Sequence, residues 1–122
     1  MSEIKSYKDL LIWKRGIALC KDVYLLTNEF PIHEQYGLTS QMRRCSVSIP
    51  SNVAEGFGRS TASFINFLKI SRGSLYELDT QIILSKELSY NKDEQLITHI
   101  ENEITELGKM INTFLNKLKE KL

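Results

Sequence analysis

A chain of 122 residues, 42% hydrophobic and 25% charged, has the make-up of one soluble globular domain and can bury a sizeable core without metal or disulfide support. Its net charge of +1 is too near neutral to argue for nucleic acid from total charge. No apolar run approaches the length of a membrane span, and the opening MSEIKSYKDL is too polar for a signal peptide.

The first predicted element, a helix over about 7–29, opens on SYKD, where Ser6 and Asp9 have the spacing of a capping box. Leu10, Trp13, Ile17, Cys20, Tyr24 and Thr27 recur in steps of three and four and define its expected inner face. Phe30-Pro31 ends it. A second stripe, Leu38, Met42, Cys45, Ile49, Val53 and Gly56, marks a helix over about 38–56 and passes through Pro50. A third runs Phe64, Leu68, Ser71, Leu75, Leu78, Ile82 over about 61–88. Asn91 with Glu94 repeats the capping spacing before a fourth helix over about 92–120, whose stripe is Ile97, Ile100, Ile104, Leu107, Ile111, Phe114, Leu118. No segment sustains period-two alternation. The expectation is an all-α, antiparallel up-down four-helix bundle in a single domain.

The stretch RRCSVSIPSNVAEGFGRS sets its own problem. Proline lacks an N–H and collides with the carbonyl four residues back, here that of Ser46, costing roughly 3 kcal/mol in a regular helix. Restarting the helix at Pro50 would make Ile49 a poor cap, and restarting at Asn52 leaves barely a turn before Gly56. A continuous helix two, kinked at Pro50, remains, with Ser46, Ser48 and Ser51 able to offer hydroxyls nearby. Gly56 and Gly58 read as the left-handed close of that helix. Gly73, interior to helix three, calls for a close approach by another group.

Charge is unevenly distributed. Residues 1–72 carry ten Lys/Arg against six Asp/Glu, net +4, and residues 73–122 carry six against nine, net −3. Between Gly37 and Tyr76, Arg43, Arg44, Arg59, Lys69 and Arg72 face Glu55 alone, so these five are the candidates for nucleic-acid contact. Asn52, Glu55 and Glu77 are candidates for a structural polar network with Arg44, Arg59 and Arg72. Two readings of that set stand side by side: a network fixing helix register or a subunit interface, and a site for an anion such as phosphate.

Cys20 and Cys45 lie in apolar patterns without a CxxC or a nearby His, and read as reduced packing thiols of a cytosolic protein. No catalytic set, metal site, cofactor or small-molecule substrate is evident. His99 is the one helical candidate for phosphotransfer, and it stands without the paired Glu-x-x-His motifs of di-iron bundles.

YKDLLIWKRGIALCKDVY, YGLTSQMRRCSVSIPSNVAEGFGRS and FLKISRGSLYELDTQIILSKEL resemble the four-helix bundle family of 23S rRNA intervening sequence proteins, from about Tyr7 to Tyr90. The resemblance carries the Arg-Arg, Ser-Ile-Pro-Ser-Asn, Ala-Glu-Gly and Arg-Gly-Ser elements. It implies ring-like homopentamers, and a related branch, the accessory protein of diversity-generating retroelements, is a basic pentamer that binds nucleic acid. Rings at Trp13, Tyr24, Phe30, Tyr36, Phe57, Phe64 and Phe67 are numerous for a bundle this size and suit subunit interfaces as well as bundle ends. The expected function is therefore a non-enzymatic homo-oligomeric scaffold or adaptor that contacts RNA or a nucleoprotein through a basic face. Two alternatives stand beside it: a protein-interaction oligomer with no nucleic-acid role, and a phosphotransfer bundle using His99.

Overall fold

The computed structural model describes residues 3–122 as four α-helices, with no strand among them. These are α1 (Leu11–Thr27), α2 (Leu38–Gly56), α3 (Thr61–Glu87) and α4 (Glu94–Lys119). Each packs on two others: α1 on α2, α2 on α3, α3 on α4, and α4 back on α1. The diagonal pairs make no close approach. No helix among the described residues is long and apolar enough to cross a membrane.

The capping box at Ser6 forms, with the Ser6 hydroxyl accepting from Lys8 N–H and the Asp9 carboxylate accepting from Lys5 and Ser6 N–H. It opens a 3-10 turn, Tyr7–Asp9, rather than α1 itself, because Leu10 is extended (φ −74, ψ 130) and separates the two. Before α4, Asn91 donates to the Ser85 hydroxyl, and Asp93 is the cap, accepting from Leu96 N–H at 3.0 Å.

The core stripes of α2 and α3 are those read from the sequence. On α4, Phe114 is only half-buried and Leu115 takes the core position beside Ile111. On α1 the expected inner face is rotated by about one residue. Of the expected face Thr27 is buried and Trp13 and Cys20 are half-buried, but the other buried positions are Ile12, Gly16, Leu19, Val23 and Leu26, while Ile17 and Tyr24 are exposed. Both stripes have helical spacing, and α1 is apolar on two faces. The choice between them is made by its partner.

That partner is Pro50. α2 runs through the proline without a break. The Ser46 carbonyl, left without an N–H donor by Pro50, accepts from the Cys20 thiol of α1 at 2.9 Å. Ser46 is fully buried, so an unpaired carbonyl there would carry the full desolvation cost. The Ser46 hydroxyl serves a different group, donating to the Arg43 carbonyl at 2.9 Å. α1 approaches this closely because residue 16 is glycine: a Cβ there would lie 3.2 Å from Pro50 Cβ.

The α2–α3 seam is built from small polar groups. Ser48 and Ser74 share a hydroxyl hydrogen bond at 2.8 Å, the Cys45 thiol donates to the Ser74 carbonyl at 2.9 Å, and Ser71 donates to the Ile49 carbonyl at 2.8 Å. Gly56 belongs to this seam and not to a left-handed cap. A Cβ on it would sit 2.7 Å from Phe67 Cβ and 2.8 Å from Phe64 Cδ1, and the left-handed residue of the turn is Gly58 at φ +83. Gly73 is the reverse case: it is exposed, and a Cβ there would meet nothing within 4 Å. The close approach expected there is not supplied by the chain itself.

α2 begins without a side-chain cap from Gly37. Instead Glu34, in a 3-10 turn over Ile32–Glu34, accepts from Leu38 N–H at 3.1 Å and from the Tyr90 hydroxyl at 2.8 Å. These bonds, the backbone one first, hold the Glu34 carboxyl below its ordinary value of 4.5. Across the bundle, Arg15 meets Glu103 at 2.6 Å, tying α1 to α4, and Lys86 meets Glu101 at 3.1 Å, tying α3 to α4.

Two expectations follow from these contacts. Cys20→Ala should lower stability in urea unfolding by about 1–2 kcal/mol, since it orphans a buried carbonyl. In a Pro50→Ala background the restored N–H at residue 50 takes over that carbonyl, so the cost of Cys20→Ala should shrink to a few tenths of a kcal/mol. Equal costs in both backgrounds would refute the assignment. Because the folded-state pKa of Glu34 is lowered, its contribution is present above the unfolded value of 4.5 and is lost as pH falls through the folded value. Glu34→Gln should therefore lower stability at neutral pH and flatten the decline in stability below about pH 5, read by urea midpoints across the acid range. An unchanged acid profile in Glu34→Gln would remove Glu34 from this role.

Candidate nucleic-acid interface

The basic residues of the Gly37–Tyr76 segment start from two neighbouring helices but point in several directions. Arg43 turns toward α1. Its Nε donates to Thr27 Oγ1 and its Nη2 to Asn28 Oδ1, each at 2.9 Å, and its guanidinium lies 4.6 Å from the Tyr24 ring centroid. Arg59 folds back on the end of α2, donating to the Glu55 carbonyl at 2.7 Å, with the Glu55 carboxylate at 3.8 Å and the Phe67 ring at 4.9 Å. Arg72 donates to Asn112 Oδ1 on α4 at 3.0 Å. Lys69 and Arg44 are exposed and have no ion pair or side-chain hydrogen bond among the described residues.

The polar set divides in the same way. Asn52 donates to the Ser48 carbonyl at 2.8 Å and to the Ser48 hydroxyl at 2.9 Å, inside the α2–α3 seam. Glu77 borders that seam, 3.4 Å from the Cys45 thiol. Among the described residues Glu55 pairs with Arg59 alone. Arg72 leaves the group because it stands two residues before Ser74. Two residues are roughly 200° of helical rotation, so a side chain beside Ser74 on the α2 flank excludes Arg72 from it. Arg44, Asn52 and Glu55 stand on α2, Arg59 lies in the turn beyond its end at Gly56, and among the described residues Arg44 bonds to none of the other three. The rotation of α3 turns Arg72 toward α4.

One place combines a free cation with exposed rings. A cavity of 480 Å³ between α1, the following turn and α2 is lined by Tyr24, Tyr36, Thr39, Arg43, Arg44 and their neighbours. Tyr36 is 91% exposed and Ile32, just before it, 88% exposed. Arg44 also borders a polar cavity of 280 Å³ over the α2–α3 seam, with Ser48, Ser74 and Glu77. Arg44 thus sits between an aromatic pocket and a hydroxyl-lined one. Planar guanidinium, exposed tyrosine and hydroxyl donors are the groups that bind phosphate and stack on bases.

Neither thiol is activated. Burial, followed by the neighbouring Glu77 charge, pushes Cys45 up to about 12, and burial raises Cys20. His99 Nε2 is bonded to Asp22 Oδ2 of α1 at 3.1 Å. Among the described residues no three His, Cys, Asp or Glu side chains gather as a metal set.

The sequence reading missed the cavity that Tyr36 and Arg44 both line, and it missed the Cys20–Ser46 contact. A signal for the second was present, since Pro50 declares an orphaned carbonyl. Which helix would answer it depended on packing.

Comparison with known proteins follows the same lines. The family model of the 23S rRNA-intervening sequence protein matches residues 8–113. A solved structure of a protein with unknown function, from the S23 ribosomal protein family of Bacteroides thetaiotaomicron VPI-5482, has a TM-score of 0.75 and 23% identity, covering 86% of this chain and 98% of that one. At that identity the likeness concerns the fold. No curated protein matches. With four packed helices and a family match over most of its length, the chain belongs to the family of 23S rRNA-intervening sequence proteins.

Proposed function

We propose that this chain is a non-enzymatic, cytosolic scaffold that assembles from copies of itself, five by family resemblance, and contacts RNA or a nucleoprotein through the surface around Arg44. The reading takes the helices as antiparallel and up-down, which the short connectors favour, with α2 bent at Pro50. The observation that carries it is a pair of outward apolar faces on helices that do not approach each other. On α1 these are Leu11, Ile17, Tyr24 and Leu25, and on α3 Tyr76, Ile83 and Leu84, all exposed.

Apolar side chains at helical spacing opposite a core are unusual for a surface that meets only water. Two different faces on diagonal helices suit a head-to-tail contact, in which the α1 face of one copy meets the α3 face of the next. Such a contact closes into a ring when the rotation allows. Gly73 lies on this α3 face, and an open glycine in mid-helix, unfavourable by about 1 kcal/mol in isolation, gains a reason if another backbone packs there. The RNA part rests on Arg44 beside Tyr36. The second reading, an oligomer that meets only protein, is favoured by the intramolecular engagement of Arg43, Arg59 and Arg72.

Light scattering on a sizing column, with absorbance at 260 and 280 nm before nuclease treatment, tests both parts. The expected result is a mass near five copies, and a monomer at all concentrations would end the proposal. Gly73→Ala should raise the stability of the dissociated chain by up to about 1 kcal/mol while weakening association. If RNA is bound, affinity should fall steeply between 50 and about 200 mM salt, and Arg44→Glu should weaken it further. Salt-independent binding, or an oligomer free of nucleic acid whose partners survive nuclease, would favour the protein-only reading.

A further inference from the structure

The far end of the bundle from Arg44 holds a second kind of site. There the start of α1, the α2–α3 turn and the last turns of α4 converge on a cavity of 540 Å³. Its walls are Leu10, Phe57, Phe64, Phe114 and Leu118, and its charged groups are Lys117 and Lys121. The rings pack edge-on, Phe57 on Phe64 at 6.2 Å and Phe64 on Phe114 at 5.5 Å between centroids. They close one end of the core without filling the space beyond it. A neighbouring cavity of 320 Å³ shares Phe114 and Lys117 and continues between α1 and α4 past Met110 to Lys109.

Across both cavities the ionised lining groups among the described residues are lysines alone, with no carboxylate. Lys117 and Lys121 make no ion pair among the described residues, and Lys109 has only a marginal one to Glu106 at 3.9 Å. Lysines at the C-terminal end of a helix offset its dipole, and that accounts for Lys117, in the last turn of α4, and in part for Lys121 just beyond it. It does not account for Lys109, about two turns before Lys117, nor for an aromatic hollow beneath the charges.

We propose that this end of the bundle binds an anionic single-chain amphiphile, an acyl carboxylate whose tail lies against Phe57, Phe64 and Phe114 and whose head meets Lys117 and Lys121. The lining offers a tail almost nothing to hydrogen-bond: the Thr113 hydroxyl in the smaller cavity is the exception. That selects a featureless hydrocarbon. The charge at the rim selects an anion, and the volume lies within the range of small-molecule sites. The site is separate from the Arg44 surface, the twelve helical steps from Arg44 to Gly56, about 18 Å, lying between them. The proposal therefore does not depend on assembly or on RNA.

The test is calorimetric titration of the full chain with dodecanoate and with dodecyltrimethylammonium, which share a tail and differ in charge, both below micelle formation. Dodecanoate should saturate a single site per chain and bind roughly tenfold or more tighter than the cation. Lys117→Glu with Lys121→Glu, both at surface positions, should reverse that preference while leaving the helical circular dichroism spectrum unchanged. Equal binding of the two amphiphiles would overturn the proposal, because the lysines would then select nothing. Absence of binding would overturn it too. If the double variant in that case also lost mass on the sizing column, the hollow would be a contact between copies. The native-protein comparison stands even if the double variant fails to fold.

Discussion

The bundle is organised around the missing N–H of Pro50. A proline inside a buried helix leaves one specific group unpaired, the carbonyl of Ser46, and the Cys20 thiol of α1 satisfies it. That bond requires α1 to come close, and Gly16 is what permits the approach to the proline ring. With Gly16 and Leu19 turned inward, the rotation of α1 is set, and Leu11, Ile17 and Leu25 are left outside. One backbone defect in α2 thereby decides which apolar face of another helix remains exposed. The thiol has no chemistry of its own here. It is a small polarizable donor, and burial keeps it protonated.

The other contacts differ in kind. α2 and α3 meet through serine, cysteine and glycine, residues short enough to let two backbones approach and polar enough to bond each other's carbonyls. α4 instead joins through a continuous run of isoleucine and leucine, flanked by ion pairs to α1 and α3. Half-exposed ion pairs contribute little to stability, so the apolar run holds α4 and the charges favour one register. The aromatic hollow beside Phe114 lies where the start of α1, the α2–α3 turn and the last turns of α4 meet.

Charge follows packing. Five basic residues in one segment look like a patch when written as a line. Folded, Arg43 pins α2 to α1, Arg59 closes the end of α2, and Arg72 reaches α4. Arg44 and Lys69 stay free, and only Arg44 has an aromatic pocket beside it. The surface that could read a phosphate is consequently smaller than the segment's net charge suggests, and it is defined by Tyr36 as much as by arginine.

Four helices, their approximate limits and the core faces of α2 and α3 were legible from periodicity, because their core stripes recur in steps of three and four. The passage of α2 through Pro50 was legible too, since a restart at Pro50 has a poor cap in Ile49 and a restart at Asn52 leaves barely a turn before Gly56. Family membership was carried by the SIPSNVAEG and RGS elements together with the helix pattern. The inner face of α1 was not legible: two stripes of equal period compete there, and only the partner helix distinguishes them. Asp93 displaced Asn91 as a cap because Asn91 was drawn to Ser85 from the preceding helix. The dispersal of the arginines, the pairing of Cys20 with Ser46 and the hollow at the bundle end all depend on how neighbouring helices are rotated. Local spacing determines which side of its own helix a residue takes, and tertiary packing alone determines what that side meets.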